Sequence, residues 1–139
     1  KQVVPLRSDE VERLKRELSR PASDGTPLYC YGYAYLLILN TGLRMGEALS
    51  LRWEDVDFEN KTITVNKNSI LSKKRDNDGN KIGGYELQVQ NSTKTLSGTR
   101  IIPINRTAES ALRMQGAFHY NRGVENKMCI ATERRNTRW

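Results

Sequence analysis

The feature that most constrains this chain is the run Leu28–Asn40, LYCYGYAYLLILN, which is apolar nearly all round. A helix with no polar face to offer water must run through the centre of whatever is built around it. Thr26 and Pro27 suit its N-cap and first helical position. Gly42 suits a left-handed stop at its end. The run is too short, and too interrupted by Gly32 and its tyrosines, to cross a bilayer. No signal peptide is visible in residues 1–27, and no membrane partner is expected. The 139 residues suit one compact domain, and a hydrophobic content of 37% is low but enough for one core. Cys30 and Cys129 lie far apart; a single disulfide is one reading, and two reduced thiols in a cytosolic protein the favoured one.

The rest of the chain is arranged around that helix. RSDEVERLKRELSR, residues 7–20, has helical spacing, with Ser8 as cap, Asp9 and Glu10 in the first turn, and Val11, Leu14 and Leu18 in one apolar stripe. A short third helix is predicted from Met45 to Leu51. Asn60-Lys61 is a turn signal, and KTITV after it alternates like a strand. The polar segment NKNSILSKKRDNDGNKIGG, residues 66–84, reads as a long flexible hairpin tip. YELQVQ and TRIIPI read as two further strands joined by the turn NSTKTLSG, and RTAESALRMQGAF returns to helical spacing. The predicted class is α+β, mainly α: a multihelical domain with a small three-stranded antiparallel sheet built from 61–65, 85–90 and 99–104.

Charge is unevenly placed. Residues 1–60 carry 8 basic and 10 acidic side chains, whereas residues 61–100 carry 8 and 3, and residues 106–139 carry 7 and 3. A net +7 concentrated in the second half points to a polyanionic partner, most simply nucleic acid. Two cations stand at informative places. Arg44 lies in TGLRMGEALSLRWEDVDF, where a guanidinium inside an apolar run requires a partner. It falls at a junction of two helices, where free backbone N–H groups favour an anion. A salt bridge to Glu47 one turn on is the structural alternative. Lys94 falls in a turn beside Thr93, Thr95 and Ser97, whose hydroxyls can reach a phosphate; a solvated turn lysine is the alternative there.

The order and spacing of these pieces closely resemble the tyrosine recombinase (phage integrase) family. Its first box reads roughly T-G-x-R-x-x-E-x-x-x-L-x-W-x-D-I/V-D, and Thr41, Gly42, Arg44, Glu47, Leu51, Trp53, Asp55, Val56 and Asp57 fit it. STKTLSGTRIIPI resembles the family's hairpin lysine segment through Lys94, Thr95, Ser97, Arg100, Ile102, Pro103 and Ile104. VPLRSDEVERL is like the usual start of the catalytic domain. The resemblance implies the DNA breaking-rejoining fold and a double-stranded DNA partner. It implies neither metal nor other cofactor, because bond energy is stored in a covalent 3′-phosphotyrosyl intermediate.

By the same resemblance Arg44 stabilises the charge on the scissile phosphate, Glu47 supports it, and Lys94 protonates the departing 5′-oxygen. Arg52, Lys73, Lys74 and Arg75, with Thr93, Thr95 and Arg100, are grouped as DNA contacts; the first four read equally as solvated charges. A complete member also carries a His-x-x-Arg box and a nucleophilic tyrosine. His119 to Arg122, HYNR, matches the former by letters but follows the lysine segment too closely, and Tyr120 lacks the family's surroundings. Residues 1–139 are therefore expected to be the N-terminal part of a catalytic domain, inactive alone. The parent is expected to be cytoplasmic, bacterial or phage-encoded, and tetrameric on DNA; the shorter chain can be monomeric. A DNA-binding module without chemistry, a type IB topoisomerase-like domain and a structural domain with an incidental basic surface are the competing readings.

Overall fold

A computed structural model describes residues 4–91, 99–123, 127 and 129–130. Helix α1 spans Ser8–Leu18. Ser8 is its first helical residue and not its cap: the Glu10 carboxylate reaches back to accept the Arg7 backbone N–H at 2.8 Å. Helix α2 spans Gly32–Thr41 and begins well after Thr26. Thr26 instead turns its hydroxyl and its N–H to Asp24, at 2.6 and 2.9 Å. Pro21 and Pro27 pair in an antiparallel bridge, and Leu28 N–H donates to the Arg20 carbonyl at 3.0 Å. Residues 20–28 are thereby closed into a small loop of their own, which delays the helix. At its first residue, Gly32, a Cβ would stand 2.5 Å from the Leu18 carbonyl oxygen, so α1 and α2 meet where only glycine fits.

Helix α2 buries Tyr33, Ala34, Leu36 and Leu37 but leaves Tyr35 and Leu39 in solvent. It is therefore covered on one face and not all round. Gly42 ends it as expected, with φ +68° and its N–H on the Ile38 carbonyl at 2.9 Å. Helix α3, Met45–Ser50, follows after the three residues Gly42, Leu43 and Arg44. Helix α4, Arg106–Asn121, packs along α2. The Asn105 side chain caps α4 by accepting from Ala108 N–H at 2.9 Å. Leu37, Leu43, Leu51, Ile63, Ile104 and Leu112 share one core with Cys129 and Ile130.

Both sheets are antiparallel. Strands β1 (Val56–Asp57), β2 (Thr62–Val65) and β5 (Arg100–Pro103) form a three-stranded sheet in the order β1-β2-β5, with Ile63 opposite both Val56 and Ile102. Strands β3 (Lys67–Arg75) and β4 (Lys81–Asn91) form a separate two-stranded hairpin. The expected three-stranded sheet exists with one strand exchanged. YELQVQ lies in β4 and pairs with β3, Leu71 opposite Leu87, while Val56–Asp57 takes the third place. The segment read as a flexible tip is thus largely a paired ladder. Its turn is fixed by Asp76, whose Oδ1 accepts the N–H groups of Asp78 and Asn80 at 3.1 and 2.7 Å. Among the described residues no helix is long and apolar enough to cross a membrane.

Candidate functional site

Leu43 is buried in the core and Gly42 has just ended α2, so the next residue is turned outward at the surface. That residue is Arg44, the N-cap of α3. Its side chain is 82% exposed, which corrects the expectation of a guanidinium buried between two apolar helices. The apolar neighbours in sequence divide between inside and outside: Leu43 is buried and Met45 is half exposed.

The buried charge of the site is Glu47, with a side chain only 7% exposed. Its Oε2 accepts the Arg44 backbone N–H at 2.8 Å. Its two oxygens also accept Nη1–H and Nη2–H of Arg100, both at 2.8 Å, a bidentate pair between α3 and the start of β5. The Arg44 guanidinium reaches the same carboxylate only at 3.4 Å. The Arg100 hydrogen bonds, then the Arg44 backbone N–H and the charges of both guanidinium groups, hold the Glu47 carboxyl below the usual carboxylate range against the opposing effect of burial. Glu47 raises the Arg100 guanidinium in return.

Helix α3 rests on β3 at Gly46, where a Cβ would collide with the Asn68 side chain and the Ser69 carbonyl. The root of the hairpin is therefore fixed beside Arg44. Lys73, Lys74 and Arg75 lie exposed further along β3, roughly 13–20 Å from Ser69 at strand rise. Arg75 Nη1 donates to the Gly79 carbonyl at 2.8 Å, inside the hairpin turn. Arg52 pairs at the surface with Glu54 at 3.2 Å. Thr93, Lys94 and Thr95 lie outside the described residues. Arg100, grouped by sequence with the DNA contacts, has its fork on Glu47.

Besides the pair of Glu47 with Arg100, sequence reasoning missed an ion pair at the hairpin root. Lys67 Nζ stands 2.7 Å from Asp55 Oδ1, with side chains 14% and 8% exposed, and ties β3 to the 3-10 turn Trp53–Asp55. Asp55 was visible as a box residue; its partner twelve positions on carried no signal. His119 is buried in α4, its ring nitrogen 2.9 Å from Gln115 Nε2, and burial lowers its pKa. Tyr120 beside it points into solvent. The Arg44 guanidinium thus faces outward on a base braced by Glu47 and Arg100, a fork suited to gripping two oxygens of a tetrahedral anion.

Residues 5–138 match the phage integrase family. The chain belongs to that family. A tyrosine recombinase XerC-like protein of Caldanaerobacter subterraneus subsp. tengcongensis is 33% identical over 115 residues, covering 74% of this chain and 28% of that protein. The Tn1549 transposon integrase in complex with circular intermediate DNA matches with a TM-score of 0.58 and 29% identity, over 82% of this chain and 32% of that one. XerA recombinase matches in fold, with a TM-score of 0.56 at 24% identity, over 97% of this chain and 37% of that one. These likenesses confirm the α+β class; in this chain the long box runs from Thr41, the last residue of α2, through α3 and the 3-10 turn into β1. The chain spans about a third of the length of the relatives it matches.

Proposed function

We propose that this chain is the N-terminal part of the catalytic domain of a site-specific DNA recombinase, and that Arg44 grips the scissile phosphate. The carrying observation is the outward Arg44 guanidinium on a base braced by Glu47 and Arg100. Phosphodiester attack by a tyrosine raises negative charge on the non-bridging oxygens. A planar fork donates two hydrogen bonds to them, and a preorganised donor of this kind contributes about 10²–10³ in rate. Lys94 gives a proton to the 5′-oxygen as it leaves, and the 3′-phosphotyrosyl bond conserves the energy for rejoining. The nucleophile comes from a part of the longer protein beyond these residues. That protein works in the cytoplasm as a tetramer on two duplexes.

Duplex DNA is the partner, held weakly and with little sequence preference by this chain's basic second half. Lys73, Lys74, Arg75 and Arg52 supply backbone contacts, with Thr93 and Thr95 beside Lys94. Neutralising roughly 4–6 phosphates gives a slope of log K against log[salt] of about −4 to −5. The deciding experiment is a suicide-substrate assay on the longer protein with Arg44→Lys. Duplex affinity should be kept while the covalent protein–DNA adduct is nearly lost. Adduct formation at the wild-type rate would exclude Arg44 from the chemistry.

A further inference from the structure

We propose that Arg100 is a positioning residue: by occupying both oxygens of Glu47, it leaves the Arg44 guanidinium free to meet a phosphate. The inference rests on the phosphate-binding reading of Arg44. A carboxylate as buried as Glu47 must be paired, and two arginines stand within reach of it. Arg100 arrives from a strand 53 residues away and takes one oxygen with each arm of its fork, at 2.8 Å. The Arg44 backbone N–H takes a third acceptor position at 2.8 Å. What is left for the Arg44 side chain is one long contact of 3.4 Å to an oxygen already engaged.

Without Arg100, the cation left beside Glu47 among the described residues is the Arg44 guanidinium. One rotamer change would bring its fork onto the carboxylate, because the two residues are three apart on the first turn of α3. The buried anion would then neutralise the cation that the site presents to DNA. Arg100 therefore acts by satisfying a competitor and needs no contact with the nucleic acid. This makes a distinctive demand. The damage from losing Arg100 must be undone by also neutralising Glu47. A direct phosphate contact by Arg100 would not be restored in that way.

The test uses the isotope-labelled 139-residue chain. The Arg44 Nε–H resonance is assigned by its loss in Arg44→Lys, and inorganic phosphate is titrated in. In the wild type this group should exchange rapidly with water and shift with phosphate. In Arg100→Met its exchange should slow severalfold and its response to phosphate should weaken severalfold. In Arg100→Met with Glu47→Gln both should return to wild-type behaviour. Should Arg100→Met fail to fold, Arg100→Lys, which keeps the charge but only one arm, should show an intermediate slowing. An unchanged Arg44 signal in Arg100→Met or Arg100→Lys overturns the proposal, as does a double variant that is not restored. An Arg44 that ignores phosphate in the wild type, yet becomes protected in Arg100→Met, supports the competition for Glu47 and overturns the phosphate reading.

Discussion

Replacing Lys67 with Met isolates the worth of the ion pair that fixes the hairpin root. Lys67 Nζ and Asp55 Oδ1 are 2.7 Å apart and their side chains are 14% and 8% exposed, so water screens the pair poorly. Met fills much the same volume, and the packing change is small. What remains is a buried carboxylate whose other oxygen, among the described residues, accepts the Arg52 backbone N–H at 3.0 Å. Breaking a buried pair from one side costs about 3–5 kcal/mol. The partial opening around Lys67 places the expected loss near the lower end, about 3 kcal/mol. With a urea dependence of about 1–3 kcal/mol per molar, the unfolding midpoint should fall by about 1–3 M. Asp55→Asn combined with Lys67→Met should recover a large part of that loss, because the uncompensated charge is gone. Urea titration of the three proteins by circular dichroism measures both effects. A loss below about 0.5 kcal/mol for Lys67→Met would show the pair to be screened like a surface bridge and refute the reasoning.

Glu47 is held ionised in the fold, so its contribution is complete above the ordinary carboxylate pKa and is lost as pH falls through its lowered folded value. Thermal unfolding against pH should show an acid limb that is flatter in Glu47→Gln than in the wild type. Gly46→Val should destabilise by about 1–3 kcal/mol through overpacking, because its Cβ meets the Asn68 side chain and the Ser69 carbonyl of β3; equilibrium unfolding checks the loss. Cys129 is fully buried and its thiol is pushed far up by burial, whereas Cys30 is exposed. A thiol reagent at neutral pH should therefore label Cys30 at once and Cys129 only on unfolding, as site-resolved mass spectrometry would show.

Sequence alone determined the features that depend on neighbours a few residues apart. Gly42 stops α2 because only a residue at ease with positive φ does so without strain, and that demand is local. Helix α3 and the start of α4 are legible for the same reason: Glu47 and Asn105 reach backbone groups within one turn. The spaced box from Thr41 to Asp57 carried the family.

Tertiary structure decided everything that needed a partner distant in sequence. Strand alternation marks YELQVQ as a strand but cannot say which ladder receives it, since pairing is set by register with residues closed on by the Asp76 turn. The late start of α2 follows from the bridge of Pro21 to Pro27, which overrides a sound local capping signal. Arg44 reads as a buried cation along the chain because its neighbours are apolar. It is exposed because Leu43 alone turns into the core, and a side chain's burial is a property of the fold's surface, not of the letters beside it. The pairing of Glu47 with Arg100, on which the proposed role of Arg44 depends, joins α3 to β5 and exists only once both have packed on the common core.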